Sequence, residues 1–176
     1  MLLCPIENSA LLKTDWVQMR PRITQTFGLN KGVYKQFGMD GHNGIDYGVP
    51  VGTPIYAAHD GKVKVKNDGK KGYGLHVKLR GKFNGRESVY GHLSKVAVKS
   101  GDYVSAGDLI GHSGNTGFST GPHLHFGFRV LVKGAGDVFI WKVANYKNGF
   151  YGYIDPLPYM ITYKGTSVSP TILSQN

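Results

Sequence analysis

With 176 residues and one cysteine, the chain is long enough for a single domain with a substantial core, but it can form neither an intrachain disulfide nor a cysteine-rich metal site. Any metal must be held by histidines and carboxylates. The net charge of +10 is concentrated: nine lysines, Arg80 and Arg86 between Lys62 and Lys99 face only Asp68 and Glu87, leaving +9 there. No apolar run approaches the roughly 18 residues that span a bilayer, so membrane insertion is not expected. Met1 to Leu12 has no basic residue ahead of its short apolar stretch and does not read as a secretory signal.

The 26 glycines, 12% aromatics and short runs of Val, Ile and Tyr predict an all-β fold rich in tight turns. Residues 1–19 read as a lead-in on which Trp16 and Val17 could dock, 20–163 as the domain, and 164–176 as a polar tail. Arg22–Gly28 is β-prone, Gly28–Gly41 loop-like, and Gly44–Val49 a short strand. Ile55–Ala58, Lys62–Lys66, Leu75–Leu79 and Ser88–His92 are predicted strands separated by turns at Asp60-Gly61, Asp68-Gly69 and Lys82–Gly85. Val96–Val98, Tyr103-Val104 and Leu109–His112 are shorter pieces, and Gly114–Pro122 is a loop. Helical periodicity is absent, which predicts a single antiparallel β-sheet domain.

The chemistry centres on His123-Leu124-His125. A strand has a side-chain period of two, so both histidines face one side while Leu124 points into the core. Upstream, Gly41-His42-Asn43-Gly44-Ile45-Asp46 places His42 and Asp46 on a loop entering a strand, since its glycines disfavour a helix. His42, Asp46 and a further histidine make a three-ligand set with an open fourth position, the pattern of catalytic zinc. Many zinc hydrolases use a glutamate base, but only Glu7 and Glu87 occur, and there is no His-Glu-x-x-His. A histidine is therefore the expected base.

Taken together, His42-x-x-x-Asp46, Tyr90-Gly91-His92-Leu93-Ser94 and His123-Leu124-His125 resemble, in order and context, the lysostaphin-type (LytM-like) zinc endopeptidases that cut bacterial peptidoglycan. Gly52-Thr53-Pro54-Ile55-Tyr56-Ala57 and Gly111-His112-Ser113-Gly114-Asn115-Thr116-Gly117 extend the likeness, which runs from about Arg22 to Arg129. The resemblance implies an active-site groove flanked by loops, one Zn2+ per chain on His42, Asp46 and His125, and a catalytic pair in His92 and His123. It implies peptidoglycan peptides as substrate and a tyrosine donor near the site, for which Tyr34 and Tyr47 are candidates. Asn115, Thr116, Ser119 and Thr120 form a polar loop positioned to contact substrate, with Tyr47. His59, His76 and His112 lie outside the motifs and are expected to be structural or exposed.

Two other classes compete. A catalytically inactive lysostaphin-like scaffold would lack ligands, whereas all five key residues are present. The second is a nucleic-acid-binding module driven by the basic stretch Lys62–Lys99, which no recognised nucleic-acid motif accompanies, so no specific nucleic acid is expected as partner; the same stretch suits anionic cell-wall polymers or a solvated strand face. The expected setting is the bacterial cell wall. The native-looking start without a leader suits a monomeric bacteriophage lysin, released or virion-borne, with a secreted bacterial enzyme as the alternative.

Overall fold

Leu124, Phe126 and Phe128 alternate with His125, Gly127 and Arg129, and that alternation builds the central strand. The computed structural model describes residues 2–6, 22–81, 85–133 and 141–161. Trp16, Val17, the Lys82–Asn84 part of the predicted turn and the 164–176 tail lie outside them.

Among these residues the strands are β1 (Leu2–Leu3), β2 (Arg22–Gln25), β3 (Ile45–Gly48), β4 (Pro54–Tyr56), β5 (Gly61–Asn67), β6 (Leu75–Arg80) and β7 (Arg86–Gly91). They continue with β8 (Lys95–Val96), β9 (Tyr103–Val104), β10 (Leu109–His112), β11 (Leu124–Lys133), β12 (Trp141–Val143), β13 (Tyr153–Ile154) and β14 (Met160–Ile161). The loop after β2 differs from expectation in holding one helical turn, α1 (Lys31–Tyr34), followed by a 3-10 turn at Lys35–Phe37. Neither buries a residue, so no apolar periodicity announced them. No helix among the described residues is long and apolar enough to cross a membrane.

The large sheet runs β2-β3-β11-β7-β6-β5-β9, with β12 and β13 also paired to β11, and every pairing in it is antiparallel. A three-stranded sheet, β4-β10-β8, packs with it. Ile45, Tyr47, Val77, Leu79, Tyr90, Leu124 and Phe126 on the inner face of the large sheet form one core with Ile55 and Ile110 of the small one. Fully burying a side chain such as Phe126 contributes about 1.5–3 kcal/mol. The fold is thus β-rich and mostly antiparallel, as predicted, but built from more than one sheet. Leu2, expected in a lead-in, is fully buried in this core, and β1 pairs in parallel with β14.

Register decides what the other face of the large sheet carries. Asp46 on β3 lies opposite His125 on β11, which lies opposite Gly91 on β7. The next row is Gly127, Val89, Lys78 and Lys64; the third is Arg129, Glu87, Arg80 and Lys62. Directly opposed residues share a face, so the histidine motif and the lysine-rich strands belong to one continuous surface.

Candidate metal centre and active-site groove

His42 comes from the loop before β3, Asp46 from β3 and His125 from β11, and all three are buried. His42 Nε2 lies 2.9 Å from His125 Nδ1, and Asp46 Oδ1 lies 3.0 Å from each. His42 Nδ1 donates to the Thr26 carbonyl at 3.2 Å, which leaves its Nε2 lone pair turned to the cluster. Burial works against the charge on Asp46, but the hydrogen bonds and charges of His125 and His42 outweigh it and hold the carboxyl well below its usual range. Burial, with the charge of His42, pushes His125 down to about 4 against the opposing pull of Asp46.

Two neutral imidazole nitrogens and a carboxylate oxygen, converging from three chain segments, fit a divalent metal. A tetrahedral ion about 2 Å from each would set its ligands roughly 3.3 Å apart, a few tenths of an ångström wider than here. His42, Asp46 and His125 are the residues that could hold it.

His92 and His123 stand beside this cluster, their ring centroids 4.5 Å apart. At the end of β7 the chain turns through a left-handed conformation at His92 (φ 61°), which aims Nδ1 at the Thr116 carbonyl, 2.7 Å away. Burial first, then the charges of His125 and His123, lower its pKa to about 3, so the ring stays neutral at any ordinary pH. His123 Nδ1 donates to the Gly121 carbonyl at 2.8 Å, and its Nε2 reaches to 3.7 Å from Asp46 Oδ2. Both rings therefore use Nδ1 to donate to a backbone carbonyl, which leaves Nε2 free of that anchor. Leu124 between the two motif histidines is fully buried, in keeping with the period-two reading.

The five histidine and aspartate side chains do not sit in a flat surface. His92, His123, His125 and Asp46 line a cleft of about 660 Å³, with α1, the loop before β11 and the residues around β13 contributing to its walls. Two glycines make its floor. A Cβ at Gly91 would stand 3.3 Å from both His125 Cβ and Tyr73 Cδ1, and one at Gly127 would stand 2.8 Å from Val89 Cγ1 and 3.0 Å from Tyr153 Cε1. Tyr73 and Tyr153 occupy that floor, and Asn43 Nδ2 donates to the Tyr73 hydroxyl at 2.6 Å. Phe118 and Phe37 meet edge to face at 5.2 Å on the wall. These five were not singled out from the sequence. The signal that could have found the floor is a pair of glycines on the same face of neighbouring strands, where a large group approaches closely.

Tyr34 lies in the cleft with its ring 5.3 Å from that of His42, and its hydroxyl accepts from Gln25 Nε2 at 3.1 Å. Burial, with the charge of Asp46, raises it to about 12, so it stays a hydroxyl donor. Tyr47 is corrected: Asp46 faces the site, the next residue on a strand must face away, and Tyr47 is buried in the core with its hydroxyl 3.4 Å from Met160 Sδ. A substrate contact there is not compatible with this placement. Of the polar loop, Ser119 and Thr120 line the cleft. Asn115 and Thr116 do not: Asn115 Oδ1 accepts from Ser119, and Thr116 Oγ1 donates to the Leu93 carbonyl while accepting from Leu75 N–H. Thr116 serves the site through its carbonyl, by orienting His92. His59 and His76 are buried and hydrogen-bonded, to Ser88 with Asp60 and to Gly74 respectively. His112 is half-buried.

A β-rich fold with a buried His-Asp-His cluster and two more imidazoles lining one cleft presents the donor set of a metal site beside two groups able to move protons. Residues 40–138, which include all five of these side chains, match the sequence profile of Peptidase family M23, and the chain belongs to that family. The chain is 47% identical over 89 residues to the DD-carboxypeptidase/endopeptidase Mpg of Neisseria meningitidis, covering 51% of this chain and 20% of that protein. The catalytic domain of lysostaphin from Staphylococcus simulans superposes with a TM-score of 0.54 at 36% identity, over 68% of this chain and 79% of that one. The catalytic domain of the prophage-encoded M23 protein EnpA from Enterococcus faecalis gives 0.55 at 35% identity, over 81% and 91%. The chain spans about a quarter or less of the length of the curated relatives it matches.

Proposed function

We propose that the protein is a zinc endopeptidase that hydrolyses peptide bonds in bacterial peptidoglycan, and that it is encoded by a bacteriophage. The observation that carries the reading is the convergence of His42 Nε2, Asp46 Oδ1 and His125 Nδ1 to within 3.0 Å at the head of a cleft that His92 and His123 also line. Zinc bound there would supply Lewis-acid polarisation of the amide carbonyl and acidify water.

The chain's own residues account for the rest. His92 and His123 line the cleft with Nδ1 of each anchored to a backbone carbonyl; one would accept the proton of the attacking water, and the other, when charged, would stabilise the oxyanion or protonate the leaving amine. Because burial makes His92 a reluctant proton carrier, a proton that it takes up is readily passed on. Tyr34, held as a neutral hydroxyl, is placed to donate to the oxyanion. Ser119 and Thr120 would contact the peptide. The exposed Lys62, Lys64 and Lys66 of β5 would attract anionic cell-wall polymers to the sheet face that ends in the site. The relatives, a peptidoglycan DD-endopeptidase of Vibrio cholerae and lysostaphin among them, favour a cell-wall peptide, and a prophage-encoded relative favours the phage origin.

The test is digestion of purified cell wall, with new amino termini identified by mass spectrometry, with and without chelator. New termini that vanish on chelation and return with zinc are the expected result. An undigested wall with zinc present would rule the reading out.

A further inference from the structure

Lys78 lines the same cleft and, among the described residues, is held by no carboxylate at ion-pairing distance. Its ammonium lies 5.8 Å from the centre of the Tyr73 ring, and that ring's centre lies 5.1 Å from the His125 ring, so Nζ is within about three extended residues of the ligand cluster. Lys78 is half-buried and, among the described residues, takes part in no hydrogen bond or ion pair.

Its neighbours make this costly. Lys64 sits directly opposite on β5, and like charges directly opposed across a sheet destabilise it. Lys66 and Arg129 add further positive charge, and burial itself, the largest influence, lowers the ammonium's pKa. The buried carboxylate Glu87, two residues along β7 from Val89, which faces Lys78, is already taken: Arg80 Nη2 holds Oε2 at 2.5 Å, while Arg129 Nε donates to Oε1 at 2.8 Å and its Nη2 to the same oxygen. Arg129 Nη1 donates to the Tyr151 carbonyl at 3.2 Å, so that guanidinium is spent as well. Asp68 lines the cleft, but outside ion-pairing distance of Lys78. Lys78 borders both this cleft and the adjoining basic concavity formed by β5, β6 and Arg129. A half-buried cation that borders a cleft and has no ion-pair partner among the described residues can serve as a binding point for an anion.

We propose that Lys78 is a specificity residue that binds a carboxylate carried by the substrate within about three residues of the cleaved amide. The preferred substrates are then acidic cell-wall peptides rather than neutral bridges. This rests on the endopeptidase reading above for its substrate, but not for its test.

The probes are heptapeptides of glycine and alanine carrying one glutamate, or glutamine as its neutral isostere, one to three residues to either side of the central amide. Binding to the zinc-supplemented full chain is measured by calorimetry, and hydrolysis of the same pairs by chromatography. At one position or more the glutamate peptide should bind on the order of 10- to 100-fold tighter than its glutamine twin, the range of a charge-assisted hydrogen bond. Lys78→Met and Lys78→Gln should erase that preference, Lys78→Arg should keep it, and Lys64→Met, which removes the same charge from the neighbouring strand, should leave it standing. Equal binding of glutamate and glutamine peptides at every position overturns the proposal. So does a preference that survives in both neutral Lys78 variants, or one that Lys64→Met removes equally. If no peptide is cut, the endopeptidase reading is in doubt, yet the ratio of dissociation constants still decides the role of Lys78.

Discussion

At one end of the large sheet's open face charge is hidden, and at the other it is displayed. Around β3 and β11 the ionisable groups are buried and hold one another: Asp46 is kept ionised by its histidines, and His92 and His125 are kept neutral by burial. Around β5, Lys62, Lys64 and Lys66 are exposed, and the same face carries Lys78 and Arg80 on the next strand. The difference shows how one antiparallel surface can do two jobs. Desolvation sharpens the short-range chemistry of the histidine end, whereas the lysine end acts at long range and is screened over about 8 Å at physiological ionic strength.

The comparison breaks most severely at the ligands. His42→Ala, Asp46→Ala and His125→Ala should each lose the metal and reduce peptide hydrolysis to background; stoichiometric zinc in the triple variant, by elemental analysis, would undo the ligand assignment. Next come His92→Ala and His123→Ala, which should keep zinc and lose turnover by on the order of 10² to 10⁴. Zinc content and hydrolysis measured on one preparation separate the roles: an apo His123→Ala protein would make His123 a ligand, and a fully active one would make it structural.

Acid should act most strongly on the histidine end. His92 and His125 have folded-state pKa values near 3 and 4, below the unfolded value of 6.5, so between those limits the unfolded chain binds more protons. Stability of the metal-free protein is then fully present above about pH 6.5 and lost as the pH falls toward 4, by up to about 1.4 kcal/mol per pH unit for each histidine. A melting temperature flat across that window, or rising as the pH falls, would contradict the burial argument. Filling the floor is a smaller perturbation: Gly127→Ala should cost about 1–3 kcal/mol by overpacking against Val89 and Tyr153, read by denaturant titration.

The smallest effect belongs to the lysine end. Reversing Lys62, Lys64 and Lys66 should weaken binding to intact wall and flatten its salt dependence, while cleavage of a small neutral peptide stays unchanged. Sedimentation of wall fragments with bound protein at low and high salt checks this, and salt-insensitive association would leave these lysines as a merely solvated face.

Much of the site could be read in the chain because its chemistry is carried by short motifs with strand periodicity. His123-Leu124-His125 gave both the shared face and the buried leucine. The same rule, applied one residue past Asp46, would have sent Tyr47 to the core. What could not be read was made by pairing across long stretches of chain. Tyr73 and Tyr153 reach the site only because Gly91 and Gly127 lie on one face of adjacent strands. Lys78 looks like any other lysine of the basic stretch until register sets it opposite Lys64 and Arg80 opposite Glu87. Thr116 is read from the sequence as part of a polar substrate loop, but it is its carbonyl that bears on His92, and a backbone atom leaves no mark in residue type.

Strand β11 alternates Phe126 and Phe128 toward the core with His125 and Arg129 toward the cleft, and it pairs with β3, β7, β12 and β13. A slip of one residue in its register would turn the imidazole into the hydrocarbon and a phenyl ring out into the cleft. Assembly is thereby all-or-nothing: a misthreaded chain cannot be a sluggish catalyst, only a silent one. The register of β11 is thus a built-in form of quality control on the site.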